Sequence, residues 1–205
     1  MMHHRLIKPG VFEIYYGAMK SGKTKALLDR IEQLQFLTGQ DILIVKPKLD
    51  TRDTVLKSRN SKNTFSCLII DENKPLEILN LISEKTSVVA IDELQFFSKD
   101  IVEVIEALQR KNINVIAAGL NTDFRGEPFG QMGHLLALAD ETHTLAGVCD
   151  VEGCNQSATR TQRIIDGKPA HYDSPIVLIE GSGEEKYETR CLHHHEVPGK
   201  RKLIK

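Results

Sequence analysis

Long apolar runs are missing from this 205-residue chain. None approaches the roughly 18–20 residues of a membrane-spanning helix. The longest, such as Leu135-Leu136-Ala137-Leu138-Ala139, are the size of a strand or a short helix. The N-terminal Met1-Met2-His3-His4-Arg5 carries no apolar signal stretch, so the chain reads as soluble and cytoplasmic. Glycine and proline are scarce, at 14 and 7 residues. With 40% apolar and 27% charged residues, that scarcity excludes a collagen-like or intrinsically disordered chain. Net charge is nearly absent too: 27 Lys and Arg against 28 Asp and Glu leave −1. Bulk attraction to nucleic acid or an anionic membrane is thereby disfavoured, and neither is expected as a partner. Any phosphate this protein holds must be held by a local device. No internal repeat or low-complexity tract is present.

What is present is an alternation. Val11–Tyr16, Asp41–Val45, Phe65–Ile70, Val88–Ile91 and Val115–Ala118 are short apolar runs bounded by polar residues or glycine, the pattern of strands buried on both faces. Between them, Lys23–Thr38 carries Leu27, Leu28, Ile31, Leu34 and Leu37 at helical spacing, with Gly39 closing it. Pro75–Glu84 and Ile101–Arg110 predict two further helices, the latter capped by Asp100 or Ser98. Strands alternating with helices predict an α/β class with a mostly parallel sheet flanked by helices.

After about residue 147 helical periodicity stops, and only short strand-like pieces such as Ala158–Ile165 and Ile176–Glu180 remain. So apolar-poor a stretch needs a staple to fold. The expected division is an α/β domain over 1–146, a small second domain over 147–198, and a basic tail over 199–205 read as a frayed, solvated end.

Gly17-Ala18-Met19-Lys20-Ser21-Gly22-Lys23-Thr24 fits the phosphate-loop pattern G-x-x-x-x-G-K-[ST], after a predicted strand and opening a predicted helix. A triphosphate needs converging backbone N–H groups, which glycines and a helix N-terminus supply. Lys23 would reach the β- and γ-phosphates of ATP, and the Thr24 hydroxyl would ligate Mg²⁺. Val88–Ile91 then ends in Asp92 and Glu93. Asp92 suits the Mg²⁺ ion. Glu93 suits proton acceptance from whichever oxygen attacks the γ-phosphate. That oxygen is water in an ATPase and a substrate hydroxyl in a kinase, and spacing does not separate the two.

The four cysteines are unevenly spread. Cys67 lies in a strand-like run and reads as a small buried hydrophobe. Cys149 and Cys154 form C-x₄-C around Gly153, and Cys191 and His194 form C-x₂-H, 36 residues further on. Three thiolates and an imidazole in two local pairs suit tetrahedral structural zinc. His193 and His195 are also within reach; His194 is favoured because two intervening residues is the commonest knuckle spacing.

Taken together these residues resemble the type II thymidine kinases, the compact cytosolic kind with a zinc-bearing arm. The likeness runs from about Val11 to Pro198. It is carried by Gly17–Thr24, Lys46–Arg52, Ile91–Phe97, Gly119–Gly130, both metal pairs and Gly181–Tyr187. It implies a P-loop (RecA-like) core with a C-terminal zinc-binding lasso, and transfer of the ATP γ-phosphate to the 5′-hydroxyl of thymidine. Glu93 is then the implied general base, with Gln95 beside it. The implied ATP contacts are Gly17 to Thr24, Asp92, Glu93, Leu94, Gln95 and a second segment, Asp50, Thr51 and Arg52. Phe124 is implied against the thymine ring, with Met19, Leu120, Phe96 and Phe129 as apolar wall. Backbone of Val177, Leu178, Ile179, Glu180 and Gly181 is implied on the base, with Tyr187 reaching the substrate. The resemblance further implies a homotetramer, dTTP as feedback ligand and deoxyuridine as a secondary substrate. The chain departs from the family's usual C-x₂-C at its first metal pair, and its segment before Tyr187 is longer and more acidic. Two other readings use the same motifs: a P-loop ATPase whose zinc ribbon binds nucleic acid, and a nucleotide-dependent switch without turnover. The near-neutral charge and the lack of an aromatic-interleaved basic stripe count against the former.

Overall fold

The computed structural model describes residues 10–38, 41–49, 55–57, 64–177 and 185–201. The elements run β1 (Phe12–Gly17), α1 (Lys23–Thr38), β2 (Asp41–Pro47), β3 (Val55–Lys57), β4 (Thr64–Ser66), β5 (Leu68–Ile70), α2 (Ile78–Leu81), β6 (Thr86–Ile91), α3 (Ile101–Arg110), β7 (Asn114–Gly119), α4 (Met132–Leu138) and β8 (Glu141–Leu145). Short antiparallel elements follow: β9 (Gly147–Val148), β10 (Ser157–Ala158), β11 (Arg160–Ile165), β12 (Lys168–Pro169) and β13 (Glu185–Arg190). Six strands make one sheet in the order β5-β2-β6-β7-β1-β8. Every pairing in it is parallel.

Strand periodicity of two assigns each apolar residue to a face. Ile42 and Ile44 of β2, Val88 and Ala90 of β6, and Ile116 and Ala118 of β7 meet Leu27, Leu28, Ile31 and Leu34 of α1. Their neighbours Leu43, Val45, Val89, Ile91, Val115 and Ala117 point the other way, onto α2, α3 and α4. Both faces are therefore sealed by helices, the arrangement that strands with near-continuous apolar sequence require. Glu13 is buried on the α1 face, where its carboxylate accepts from Arg30 Nε at 3.0 Å and from the Tyr15 hydroxyl. Because the strands run parallel, the loops after β1, β6 and β7 emerge at one edge, where α/β sheets bind their ligands.

Several expectations need correction. The run Phe65–Ile70 is not one strand: β4 pairs antiparallel with β3, and β5 joins the parallel sheet beside β2. The helix expected over Pro75–Glu84 is a 3₁₀ turn, Pro75–Glu77, followed by the single turn of α2. It ends because Ile82 is extended and Ser83 N–H is taken by the Thr86 hydroxyl at 3.0 Å. Neither Asp100 nor Ser98 caps α3 through its side chain; Asp100 is already helical (φ −66°, ψ −13°), and an N-cap side chain needs an extended backbone to fold back. Ala158–Ile165 divides between β10 and β11, and Ile176 and Val177 are exposed bends, not strand. The start of the basic tail is held: Lys200 Nζ donates to the Arg125 carbonyl at 2.6 Å and pairs with Glu127 at 2.9 Å. The Leu37 side chain, Gly39 and 202–205 lie outside the described residues.

Sealing of the α1 face has a measurable consequence. Leu27→Ala, at a fully buried site, is expected to lower unfolding free energy by about 2–5 kcal/mol in denaturant titration. Arg110→Ala on exposed α3 surface is expected to stay within about 0.5 kcal/mol. A Leu27→Ala loss as small as that of Arg110→Ala would show that the face is not closed.

Candidate active site

The loop after β1 starts at a position with no room for a side chain. A Cβ on Gly17 would lie 2.0 Å from the Leu145 carbonyl oxygen of β8, so only glycine fits. Lys20 and Gly22 both take positive φ, 58° and 85°, and α1 opens with Ala26 N–H donating to the Gly22 carbonyl at 3.0 Å. Lys23 is buried, and its ammonium curls back to donate to the Ala18 carbonyl at 2.7 Å. Burial pushes its pKa below the ordinary lysine value, while Glu93 and Asp92 pull the other way. The Ser21 hydroxyl is buried without a hydrogen-bond partner among the described residues. A helix N-terminus, a buried ammonium and an unanswered buried hydroxyl converge here, and that chemistry fits an anionic group such as a phosphate.

The acids stand at the end of β6, with β7 between them and β1. Asp92 is buried, its N–H donating to the Val45 carbonyl at 3.1 Å. Its Oδ2 accepts the Thr24 hydroxyl at 3.3 Å, which joins the strand end to the phosphate loop across that intervening strand. Glu93 adopts a left-handed conformation, φ 52° and ψ 41°, which costs a non-glycine residue about 1–2 kcal/mol. Such strain persists where surrounding contacts over-determine it, and it concentrates at functional positions. The contacts here belong to Gln95. Its amide donates to Glu93 Oε2 at 2.5 Å, and its carbonyl oxygen accepts Leu120 N–H at 2.9 Å. The Leu94 side chain is fully buried in the sheet core, which leaves its backbone as the part that can face the loop.

The Gly119–Gly130 loop after β7 supplies the apolar side. Leu120 and Phe124 are buried, and Phe96 and Phe129 meet edge to face with centroids 5.4 Å apart. Asp123 braces the turn, accepting from Arg125 N–H and Nε at 2.8 Å each. The Phe124 carbonyl accepts from His195 Nε2 at 2.8 Å; burial holds the His195 pKa below its ordinary value. Beneath the Phe124 ring lies Arg163 of β11, its guanidinium carbon 5.2 Å from the centroid. Arg163 is fully buried, 2.9 Å from Glu185 Oε1, off the line of a hydrogen bond, and it donates through Nη1 to the Pro175 carbonyl. Tyr187 on β13 is half-buried and directly opposite Arg163 in the ladder. Val177 is exposed. Asp50, Thr51, Arg52, Leu178, Ile179, Glu180 and Gly181 lie outside the described residues.

The second constellation is separate. One ligand atom each from Cys149, Cys154, Cys191 and His194 lies within 4.8 Å of all the others. His194 Nδ1 is 3.6 Å from Cys149 Sγ and 3.3 Å from Cys191 Sγ, and the Cys154 and Cys191 sulfurs are 4.0 Å apart. Gly153 at φ 75° turns the wide C-x₄-C loop. Burial raises the Cys149 pKa, but backbone N–H groups of Cys191 and Val151 and the His194 ring outweigh it and bring the thiol to about 6, favouring the thiolate that ligates metal. The cluster could hold one metal ion. His195 is turned to Phe124 instead, a division of labour within the histidine run that spacing does not disclose. Arg163 and Lys200 carry no site signal in the sequence, and His195 enters it only as an alternative metal ligand. Each acts through a partner more than 30 residues away, and the only local feature was an Arg inside a strand-like run.

A family model described as thymidine kinase matches residues 10–195. The chain is 44% identical over 196 residues to a thymidine kinase from Coprothermobacter proteolyticus, covering 95% of each chain. Among solved structures, domain III of the replication initiation protein DnaA from Thermotoga maritima aligns over 65% of this chain and 54% of that one, at 12% identity and a TM-score of 0.41; so slight a likeness carries no argument. On the family match and the close relative, with the phosphate loop and its acids already in view, the chain belongs to the thymidine kinase family.

Proposed function

We propose that this site transfers the γ-phosphate of ATP to the 5′-hydroxyl of thymidine, giving dTMP and ADP, with Glu93 as general base. Family membership and the thymidine kinase relative support the kinase activity and its nucleoside substrate. The observation that carries the role of Glu93 is its strained backbone beside the phosphate loop, with one carboxylate oxygen taken by Gln95. The other oxygen, without a hydrogen-bond partner among the described residues, accepts the 5′-hydroxyl proton as the 5′-oxygen bonds to the γ-phosphorus and ADP departs. The amides of Gly17, Ala18, Met19, Lys20, Ser21, Gly22, Lys23 and Thr24 receive the phosphates, and Asp50, Thr51 and Arg52 form a second nucleotide contact. Lys23 leaves the Ala18 carbonyl for the β- and γ-phosphates. Thr24 and Asp92 would hold Mg²⁺, which when bound would neutralise charge on the transferring group. Thymine lies against Phe124, walled by Met19, Leu120, Phe96 and Phe129, with backbone of Val177 to Gly181 on its polar edge and Tyr187 on the nucleoside.

In the same reading Cys149, Cys154, Cys191 and His194 hold a structural Zn²⁺. A tetrahedral zinc would ask for ligand atoms roughly 3.5–3.8 Å apart; the Cys149–His194, Cys191–His194 and Cys154–Cys191 pairs stand at 3.6, 3.3 and 4.0 Å. The metal supplies folding energy to the 147–198 arm, which acts as a lasso over the nucleoside and is distinct from the 1–146 RecA-like core. The family resemblance adds dTTP as feedback ligand, deoxyuridine as a secondary substrate, a homotetramer and a cytoplasmic setting. No described helix is long and apolar enough to cross a membrane.

A panel of nucleosides with ATP tests the reading: ADP release is expected with thymidine, and its absence, or hydrolysis stimulated only by nucleic acid, would overturn it. Glu93→Gln is expected to lower kcat by about 10²–10⁴-fold while thymidine and ATP binding, read by calorimetry, stay near wild type; near-normal turnover would remove Glu93 from the base role. Metal analysis is expected to find one zinc per chain in wild type and a small fraction of that in Cys191→Ser, with thymidine binding weakened. Unchanged thymidine affinity in metal-free protein would sink the structural role of the ion.

A further inference from the structure

We propose that Thr161 and Thr189 are positioning residues for phosphate transfer, which couple the ATP and thymidine sites through the main chain of Met19. The inference rests on the kinase reading above. The two threonines face each other in the β11–β13 ladder and are both buried, 3% and 1% exposed. Buried hydroxyls need partners, and these two find theirs on a single residue of the phosphate loop. Met19 N–H donates to Thr161 Oγ1 at 3.1 Å, and the Thr189 hydroxyl donates to the Met19 carbonyl at 2.7 Å. Both main-chain polar groups of Met19 are thus satisfied from the arm. A third tie closes the joint: Asp150 Oδ2 accepts from Thr189 N–H and from Lys20 Nζ, each at 2.8 Å. Asp150 N–H in turn donates to the Thr189 carbonyl at 2.8 Å.

The same ladder face carries the nucleoside end. Two residues along each strand, on the same side by the strand period, stand Arg163 and Tyr187, themselves directly opposed. Arg163 lies against the Phe124 ring. One antiparallel pair therefore grips the phosphate loop with its threonines and backs the aromatic wall with its arginine. A cross-strand pair moves as a unit, so a nucleoside that draws Tyr187 and Arg163 into place also sets the Met19 main chain. By linkage, ATP that orders the loop favours nucleoside binding by the same factor.

The test compares Thr189→Val, which keeps the shape and loses the hydroxyl, with Thr189→Ser, which keeps the hydroxyl. Steady-state kinetics, calorimetry of ATP binding with and without thymidine, melting temperature and metal content are read on each full-length protein. In wild type, thymidine is expected to tighten ATP binding. Thr189→Val is expected to raise the KM for ATP about three- to tenfold, the worth of one net hydrogen bond, and to shrink the effect of thymidine on ATP affinity. Thr189→Ser is expected to restore both, with melting temperature and metal content alike in the two variants. Wild-type KM and coupling in Thr189→Val would overturn the proposal. So would equal loss in Thr189→Ser, or the lack of any coupling in wild type. Should Thr189→Val fail to fold, Thr161→Val against Thr161→Ser poses the same question with the same two outcomes. Failure of wild type itself to phosphorylate thymidine would instead strike the kinase reading, an outcome separate from these.

Discussion

A lysine ammonium nine-tenths removed from water is tolerable only where something answers its charge. Lys23 is such a group, and much of the molecule is arranged around it. In the structure its proton donors meet the Ala18 carbonyl, with Asp92 and Glu93 near enough to oppose the desolvation. Those acids reach it because the parallel sheet delivers the ends of β1 and β6 to one edge, although β7 separates them. The Thr24 hydroxyl on Asp92 closes the gap. A chain of net charge −1 thereby concentrates one buried cation, several oriented amides and two carboxylates where a phosphate would be handled, without a basic surface.

The second consequence is that the loop does not stand alone. Its outer curve leans on an arm built from short antiparallel strands, whose apolar content is too small to fold as an ordinary core. Three thiols and an imidazole come together in that arm, and Asp150, next to Cys149, bonds onward to Lys20 and Thr189. From the far side, His195 and Lys200 fasten the carbonyls of Phe124 and Arg125. The Gly119–Gly130 loop, which has little regular structure, owes its shape to these outside donors and to the Asp123 carboxylate within it. Irregular backbone near a site must have its polar groups answered somewhere, and here the answers come from both ends of the arm.

The core helices and strands were legible because their patterns are local. α1 and α3 occupy the ranges that apolar spacing marks out, and β6 and β7 extend the apolar runs by a residue or two. Where local pattern misled, a neighbour decided. Phe65–Ile70 reads as one strand but serves two sheets, because β3 and β2 compete for its halves. Asp100 reads as a cap but has already entered helical backbone. Leu94 sits between Glu93 and Gln95, and the 3₁₀ turn after Glu93 rotates its side chain into the core. The basic residues at the end read as solvated, whereas Lys200 finds an acid and a carbonyl on a distant loop.

The sequence by itself determined the α/β class, the phosphate-loop pattern, the acidic strand end and the Cys149–Cys154 and Cys191–His194 pairs. Each is written in spacings of a few residues, where period and turn chemistry act directly on the chain. Tertiary structure alone decided that β7 lies between β1 and β6, and that His195, also within reach of the sulfurs by spacing, turns to Phe124 instead. It also decided that Arg163 lies beneath an aromatic ring, and that two threonines some 28 residues apart in the chain close on one loop residue. Arg163 and Phe124 are 39 positions apart, His195 and Phe124 71, Thr161 and Met19 142, and Thr189 and Met19 170. Their partners are chosen by strand order and register, which no local periodicity encodes.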